Sequence, residues 1–350
     1  MANHRRAIRV ALDTGESDQP VARHCAQKQH QAYKGLPFLR KNVTQDTEFI
    51  LLGFSADPQP LLFVTFLLIY ILTLIGNVMI ILAVTFDIQL HSPMYIFLRS
   101  LSLTEIFYIS TTVPRMLRDF LHKDKSISLI GCAAQLYFFI FLGATECFLL
   151  AVMAYDRYAA ICHPLHYVAI INKRKCLNLI LFSWLFAMFL PLGNMSFVFS
   201  LPFCGANIID HYFCDMFPVL KLACAETFGS ELYILIHTAI VIPLPFILII
   251  ISYVKILTAI FKINTAAGRR KAFSTCGAHL TSVSLFFGSA TITYLRTKSI
   301  DSNGGAKTMS LLYIVFVPML NPLLYSLRSK EVKRAMKKLI RGPNMGILKS

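Results

Sequence analysis

Seven unbroken apolar stretches, each about twenty residues long, constrain this chain more than any other feature: 61–86, 93–117, 129–155, 177–198, 232–256, 273–295 and 309–327. At 1.5 Å of rise per residue, a helix of that length matches the roughly 30 Å hydrocarbon layer of a bilayer. Lipid offers no water to unpaired N–H and C=O groups, so only helices and closed barrels cross it. Barrel strands would read as weak, alternating pieces of about ten residues. The blocks here are continuous, and the expectation is an all-α membrane protein, a seven-transmembrane helix bundle. Composition agrees, with 56% hydrophobic and only 15% charged residues, against about 25% charged in a water-soluble domain.

The net charge of +16 is unevenly placed along that topology. Connections on the C-terminal side hold four cations (Arg157, Lys173, Arg174, Lys175) and five more (Lys255, Lys262, Arg269, Arg270, Lys271), and eight follow Leu327. Against these 17 stand only Asp87, Asp156 and Glu331, leaving +14 on one side. The positive-inside bias puts that side in the cytoplasm and the N-terminus outside. The excess suits anionic membrane lipid, not nucleic acid. Within 330–340, Val332, Met336, Leu339 and Ile340 share one face, ringed by Lys333, Arg334, Lys337 and Lys338. That is the pattern of a short amphipathic C-terminal helix lying on the inner leaflet. Three parts are expected: an extracellular and largely disordered tail over 1–57, a receptor-like helical domain over 58–328, and a cytoplasmic tail over 329–350. The first 57 residues contain no signal-peptide core, so the first helix serves as the insertion signal. Asn42-Val43-Thr44 is a glycosylation sequon on the outer side. The sequon at Asn194-Met195-Ser196 sits at a helix end too close to the bilayer for use.

Two acids fall inside apolar blocks. Glu105 lies 12 residues past Pro93, about 18 Å deep, and Glu146 precedes Arg157 by 11 residues, three turns, on the same side and about 16.5 Å deeper. Both reach the midplane, where an ionisable group is a functional hypothesis by default. Asn77 and Asn321 reach a comparable level with amide oxygens. Glu105 and Glu146 either share a sodium ion that favours the resting bundle or are protonated and hydrogen-bonded as structural groups.

Nothing in the chain reads as an enzyme: there is no Gly-rich phosphate loop, no His-Glu-x-x-His and no intramembrane Ser-His or paired-Asp arrangement. Cys132, Cys204, Cys214 and Cys224 face the outer, oxidising compartment and allow three pairings. Cys25, Cys147, Cys162, Cys176 and Cys276 look unpaired. His211, Cys214 and Asp215 have metal-like spacing, which a disulfide at Cys214 removes.

Several motifs stand in one order: Gly76-Asn77; Leu90-His91-Ser92-Pro93-Met94-Tyr95; Met153-Ala154-Tyr155-Asp156-Arg157-Tyr158 running on to His166-Tyr167; the four outer cysteines; Ala272-Phe273-Ser274-Thr275-Cys276-Gly277-Ala278-His279-Leu280; and Pro318-Met319-Leu320-Asn321-Pro322-Leu323-Leu324-Tyr325. Over roughly 42–340 the chain resembles the olfactory receptor branch of rhodopsin-like G-protein-coupled receptors. That resemblance implies a small volatile odorant bound in the outer half of the bundle, and a stimulatory, olfactory-type G protein that raises cyclic AMP. It implies the plasma membrane of olfactory neuron cilia and disulfides Cys132–Cys214 and Cys204–Cys224. It also implies a switch in which helix 6 swings outward and exposes Arg157, Tyr253 and Tyr325, with Asp156 and Tyr158 flanking the arginine and Asn321-Pro322 bending helix 7.

Counting turns outward from Arg157 places Phe139, Ile140, Gly143 and Ala144 in the outer part of helix 3. His237 and Thr238 on helix 5 and Phe287, Ala290, Thr291 and Tyr294 on helix 6, at i, i+3, i+4 and i+7, complete a mostly apolar candidate pocket. Three departures from the family pattern stand out: residues 1–41 form an extension, Glu105 replaces the Asp of many rhodopsin-like receptors, and Phe287 stands where the family often has Tyr. The alternatives are a rhodopsin-like receptor for a non-odorant ligand and an ion-conducting membrane protein.

Overall fold

The computed structural model describes residues 48–53, 59–203, 207–223, 228–295 and 310–341. Strand β1 (Glu48–Leu51) precedes helices α1 (Gln59–Phe86) and α2 (Pro93–Leu121). Strand β2 (Ser126–Ser128) leads into α3 (Leu129–Cys162), and α4 (Lys173–Phe199) is followed by β3 (Ile208–Ile209). Helix α5 comes in two segments, Phe228–Val241 and Pro243–Phe261. Then come α6 (Ala266–Leu295), α7 (a π segment Leu312–Phe316 continuing as Val317–Arg328) and α8 (Lys330–Arg341). Single-turn helices at Tyr167–Ile170 and Met216–Leu220 lie in the connections.

The helices outrun the apolar blocks. α3 reaches Cys162 and α6 begins at Ala266, seven residues beyond the block at each end, because backbone hydrogen bonding continues past the point where side chains turn polar. Among the described residues four spans are both long and apolar enough to cross a membrane: Gln59–Phe86, Leu129–Cys162, Lys173–Phe199 and Gly229–Phe261. α2 is as long but carries polar residues, and those are turned inward: Ser100, Ser102, Thr104, Glu105 and Thr112 are buried. α1 shows the converse, with Leu61, Leu68, Leu72 and Ile75 exposed on one side. Greasy outside and polar inside is the pattern of a helix in lipid.

Proline accounts for the breaks. Pro243 and Pro245 supply no N–H, and α5 is interrupted at Ile242, where the Phe246 N–H still reaches the Ile242 carbonyl at 3.3 Å. In α7, Pro318 has no N–H for the carbonyl four residues back and its ring would press on it. The turn just before it is widened to π, with the Val317 N–H bonded to the Leu312 carbonyl.

The described chain falls into two units. The first contains β1 with His122–Tyr137 and Leu192–Leu235, and holds a three-stranded sheet ordered β2-β1-β3. β1 runs antiparallel to β2 (Phe49↔Ile127) and parallel to β3 (Leu51↔Ile209). Its alternate residues Phe49 and Leu51 are buried, and Phe49 meets the Phe203 ring edge-on at 5.3 Å. The Cys132–Cys214 disulfide is formed here, and the Cys214 N–H donates to Gln135 Oε1 at 2.9 Å. Asn194, the second sequon, is fully buried in α4. Gly193 beside it receives the Tyr233 hydroxyl against its backbone, where any side chain would overlap it. The second unit, from Pro58–Leu121, Phe138–Pro191 and Ile236 onward, is a helix bundle and carries the candidate site.

Candidate functional site

In the outer part of the bundle, Phe139, Ala144, Phe287 and Ala290 are buried, and Ile140, Gly143, His237 and Thr238 are half-buried. Phe139 stacks on Tyr108 of α2 at 5.3 Å and lies 6.1 Å from the Tyr313 ring of α7. Gly143 presents bare backbone to Tyr108, 3.6 Å from where a Cβ would stand. Phe287 packs against Phe246 of α5 at 5.1 Å, and His237 bonds to the Leu190 backbone of α4. The expected helix-6 face is rotated: its buried stripe runs through Ser282, Val283, Phe286, Phe287 and Ala290, and Thr291 falls off its edge and is exposed. The Tyr294 side chain lies outside the described residues. Tyr108 and Tyr313 went unnoticed in the sequence because an aromatic in an apolar block reads as packing.

A polar layer crosses the middle of the bundle. Asn321 Nδ2 donates to Glu105 Oε1, and Ser282 Oγ donates to Asn321 Oδ1 at 2.7 Å. Asn77 Nδ2 donates to the Pro318 carbonyl at 3.4 Å. That carbonyl would ordinarily accept from residue 322, and Pro322 has no N–H, so the α1 amide takes the missing donor's place. Glu146 is wholly buried, and among the described residues neither of its carboxyl oxygens has a hydrogen-bond partner, nor has Asn77 Oδ1. Glu105 and Glu146 lie within electrostatic reach of each other. The matching depths read from the sequence therefore correspond to one buried acid pair. The unfilled Glu146 carboxyl, with the Glu105 carboxyl and the Asn77 amide oxygen beside it, forms a set of oxygens that fits a hard monovalent cation or a proton.

At the inner end Asp156 and Arg157 are both buried, 3.7 Å apart. The Tyr167 hydroxyl, in the connection after α3, donates to Asp156 Oδ1 at 2.7 Å. Burial and the Asp156 charge both push the Tyr167 phenol up, which keeps it a neutral donor. Tyr158 turns away toward His163 Nε2 at 3.1 Å, with Lys255 over its ring. Tyr253 bonds His279 Nδ1 at 2.7 Å, and His279 Nε2 bonds the Leu150 carbonyl at 3.1 Å. A carbonyl only accepts, so Nε2 carries the proton and Nδ1 receives the Tyr253 hydroxyl. This fully buried histidine ties α3, α5 and α6 together. The sequence showed it only as one letter of the 272–280 motif. Tyr325 is buried as well.

These placements meet an independent finding: a family model described as Olfactory receptor matches residues 66–342. The chain belongs to the olfactory receptor family. It is 52% identical over 301 residues to Olfactory receptor 10C1 of Homo sapiens, covering 85% of this chain and 96% of that one. It is 51% identical over 298 residues to human Olfactory receptor 10A5, covering 84% and 94%. It is also 45% identical over 302 residues to Olfactory receptor 1M1 of Mus musculus, covering 86% and 96%. This olfactory receptor is therefore a seven-transmembrane G-protein-coupled receptor and not an enzyme. Of the two disulfides the family resemblance implied, Cys132–Cys214 is present. Cys204, Cys224 and the Asn42 sequon lie outside the described residues.

Proposed function

We propose that this olfactory receptor binds a small, largely apolar volatile among the outer turns of α3, α5 and α6 and answers by activating a stimulatory G protein that raises cyclic AMP. The observation that carries the reading is the burial of Phe139, Ala144, Phe287 and Ala290 within one helical unit: aromatic faces beside very small side chains, the lining expected of a site for a compact apolar ligand. The ligand must bind the active bundle more tightly than the resting one, since equal affinity would shift nothing. Activation opens the inner end by moving α6 away from α3, which breaks the His279–Leu150 bond and frees Arg157, Tyr253 and Tyr325 for the G protein. The N-terminus with Asn42 is extracellular, α8 rests on anionic lipid of the inner leaflet, and the receptor resides in the plasma membrane of olfactory cilia.

A sodium ion fits the acid pair, with Glu146, Glu105 and Asn77 Oδ1 as its holders. When bound, it supplies the positive charge that lets buried carboxylates stay ionised. Asn321, held by Glu105 and Ser282, then stays in its resting position.

A cyclic AMP screen of the surface-expressed receptor against a chemically diverse panel of volatiles, with and without residues 1–41, tests this reading. Responses that vanish in Arg157→Ala at matched surface density support it. A response that survives Arg157→Ala would overturn the coupling route, and responses confined to non-volatile ligands would replace the odorant with another ligand class.

A further inference from the structure

The π turn Leu312–Phe316 occupies an unusual place in α7. A π turn holds one residue more than an α turn, costs hydrogen-bond geometry, and recurs at functional sites. Below it the helix is pinned at several points: the Pro318 carbonyl by Asn77, Asn321 by Glu105 and Ser282, and the Pro322 ring against Gly76. Within it, Tyr313 is buried with its ring 6.1 Å from Phe139, which stacks on Tyr108. The turn thus has a tier of rings on its own level and the polar layer directly beneath.

We propose that Tyr313 contacts the ligand, and that the π turn presenting it carries occupancy of the outer site to Asn321. A flat, unsaturated ligand that lies against Phe139 takes over the ring contact Tyr313 now makes. Freed of that contact, the turn closes to ordinary α-helix. Absorbing the extra residue re-phases one flank of the helix by about 100° and 1.5 Å, and that displacement draws Asn321 away from Glu105 and Ser282. The inference rests on the odorant-binding reading above and adds Tyr108 and Tyr313 to its site.

The test compares the full-length receptor with Tyr313→Ala, Tyr313→Phe and a deletion of Val315. The deletion removes the extra residue, so the turn becomes α while both flanks keep their present phase and the receptor is held at rest. Hydrogen exchange on purified receptor, with neither ligand nor G protein, reads the turn directly. The amides of 312–317 are expected to exchange at least tenfold more slowly in the deletion variant. In Tyr313→Ala their exchange is expected to slow at least threefold, and in Tyr313→Phe, which keeps the ring, by no more than half as much. In unstimulated cells at matched surface density, cyclic AMP is expected at least twofold above wild type for Tyr313→Ala and below wild type for the deletion. Wild-type exchange in Tyr313→Ala overturns the proposal, and so does wild-type cyclic AMP in a deletion variant that reaches the surface. If the deletion variant does not reach the surface, Tyr313→Ala decides alone. Cyclic AMP no higher with wild type than in receptor-free cells would count against G-protein coupling, and the exchange result would still decide the π turn.

Discussion

Pro322 of α7 rests on the backbone of Gly76 in α1: a Cβ at residue 76 would stand 3.0 Å from Pro322 Cβ. The adjacent Asn77 amide reaches the carbonyl of Pro318, the acceptor that Pro322 leaves without a donor. Gly76-Asn77 is thus one device, a notch for the ring and a substitute donor for the carbonyl. Gly76→Ala is expected to force a shift of a few tenths of an ångström, and Gly76→Leu to cost about 1–3 kcal/mol by overpacking. Thermal unfolding of purified receptor checks the ranking, and a leucine variant as stable as wild type would mean that α1 and α7 can separate freely.

His279 is the second device with a measurable energy. Replacing it by Phe leaves the Tyr253 hydroxyl buried without this partner, at about 1–3 kcal/mol for the unsatisfied group, and leaves the Leu150 carbonyl only its bond within α3. Tyr253→Phe orphans only Nδ1 and is expected to cost less. The two changes share one bond, so the double variant should fall short of the sum by about 0.5–3 kcal/mol. Additivity within error would show that the bond contributes nothing.

How far the sequence reached depended on which signal each feature leaves. Apolar blocks mark hydrocarbon, so all seven spans were legible, but hydropathy stops at the interface and α3 and α6 continue seven residues beyond it. Helical counting put Glu105 and Glu146 at one depth, yet it carries no information on which neighbour turns toward them, and Ser282 and the Asn321 contact came only with the fold. The strand pairings of Glu48–Leu51 with Ser126–Ser128 and Ile208–Ile209 join segments far apart in the chain and too short for periodicity to register. Thr291 missed the buried stripe because its centre lies on the Phe286 side of Phe287, an angle that spacing alone leaves open.

Asp215 gives the first unit a pH dependence. It caps Met216–Leu220 through the Met216 N–H at 2.8 Å, and burial pushes its carboxyl from 3.8 up to about 6, against the opposing pull of that bond. The folded state therefore keeps its proton to higher pH than the unfolded one. Stability is greatest below about pH 4, declines as pH rises through 6, and is level above that, a change on the order of 2–3 kcal/mol. Exchange protection of the Cys214 and Met216 amides between pH 4 and 7, corrected for intrinsic rates, should follow this course. Asp215→Asn keeps the capping oxygen and should flatten it; an equally steep curve in the variant would assign the dependence to another group.

Glu146 separates a cation from a proton in the bundle's core. Its two oxygens are buried without donors among the described residues, and Glu105 is close enough to oppose a second negative charge. An ionised carboxylate left unpaired there would cost several kcal/mol, so a sodium ion or a proton must accompany it. If sodium does, replacing sodium with N-methyl-glucamine lowers the thermal midpoint of wild-type receptor, the midpoint rises again with sodium concentration, and Glu146→Gln loses that dependence while remaining folded. Binding to the folded state alone stabilises by RT ln(1 + [L]/Kd), about 1.4 kcal/mol at ten times Kd. A wild-type midpoint indifferent to sodium but rising as pH falls would instead identify the proton as the partner, and Glu146→Gln would then reproduce the low-pH stability at neutral pH.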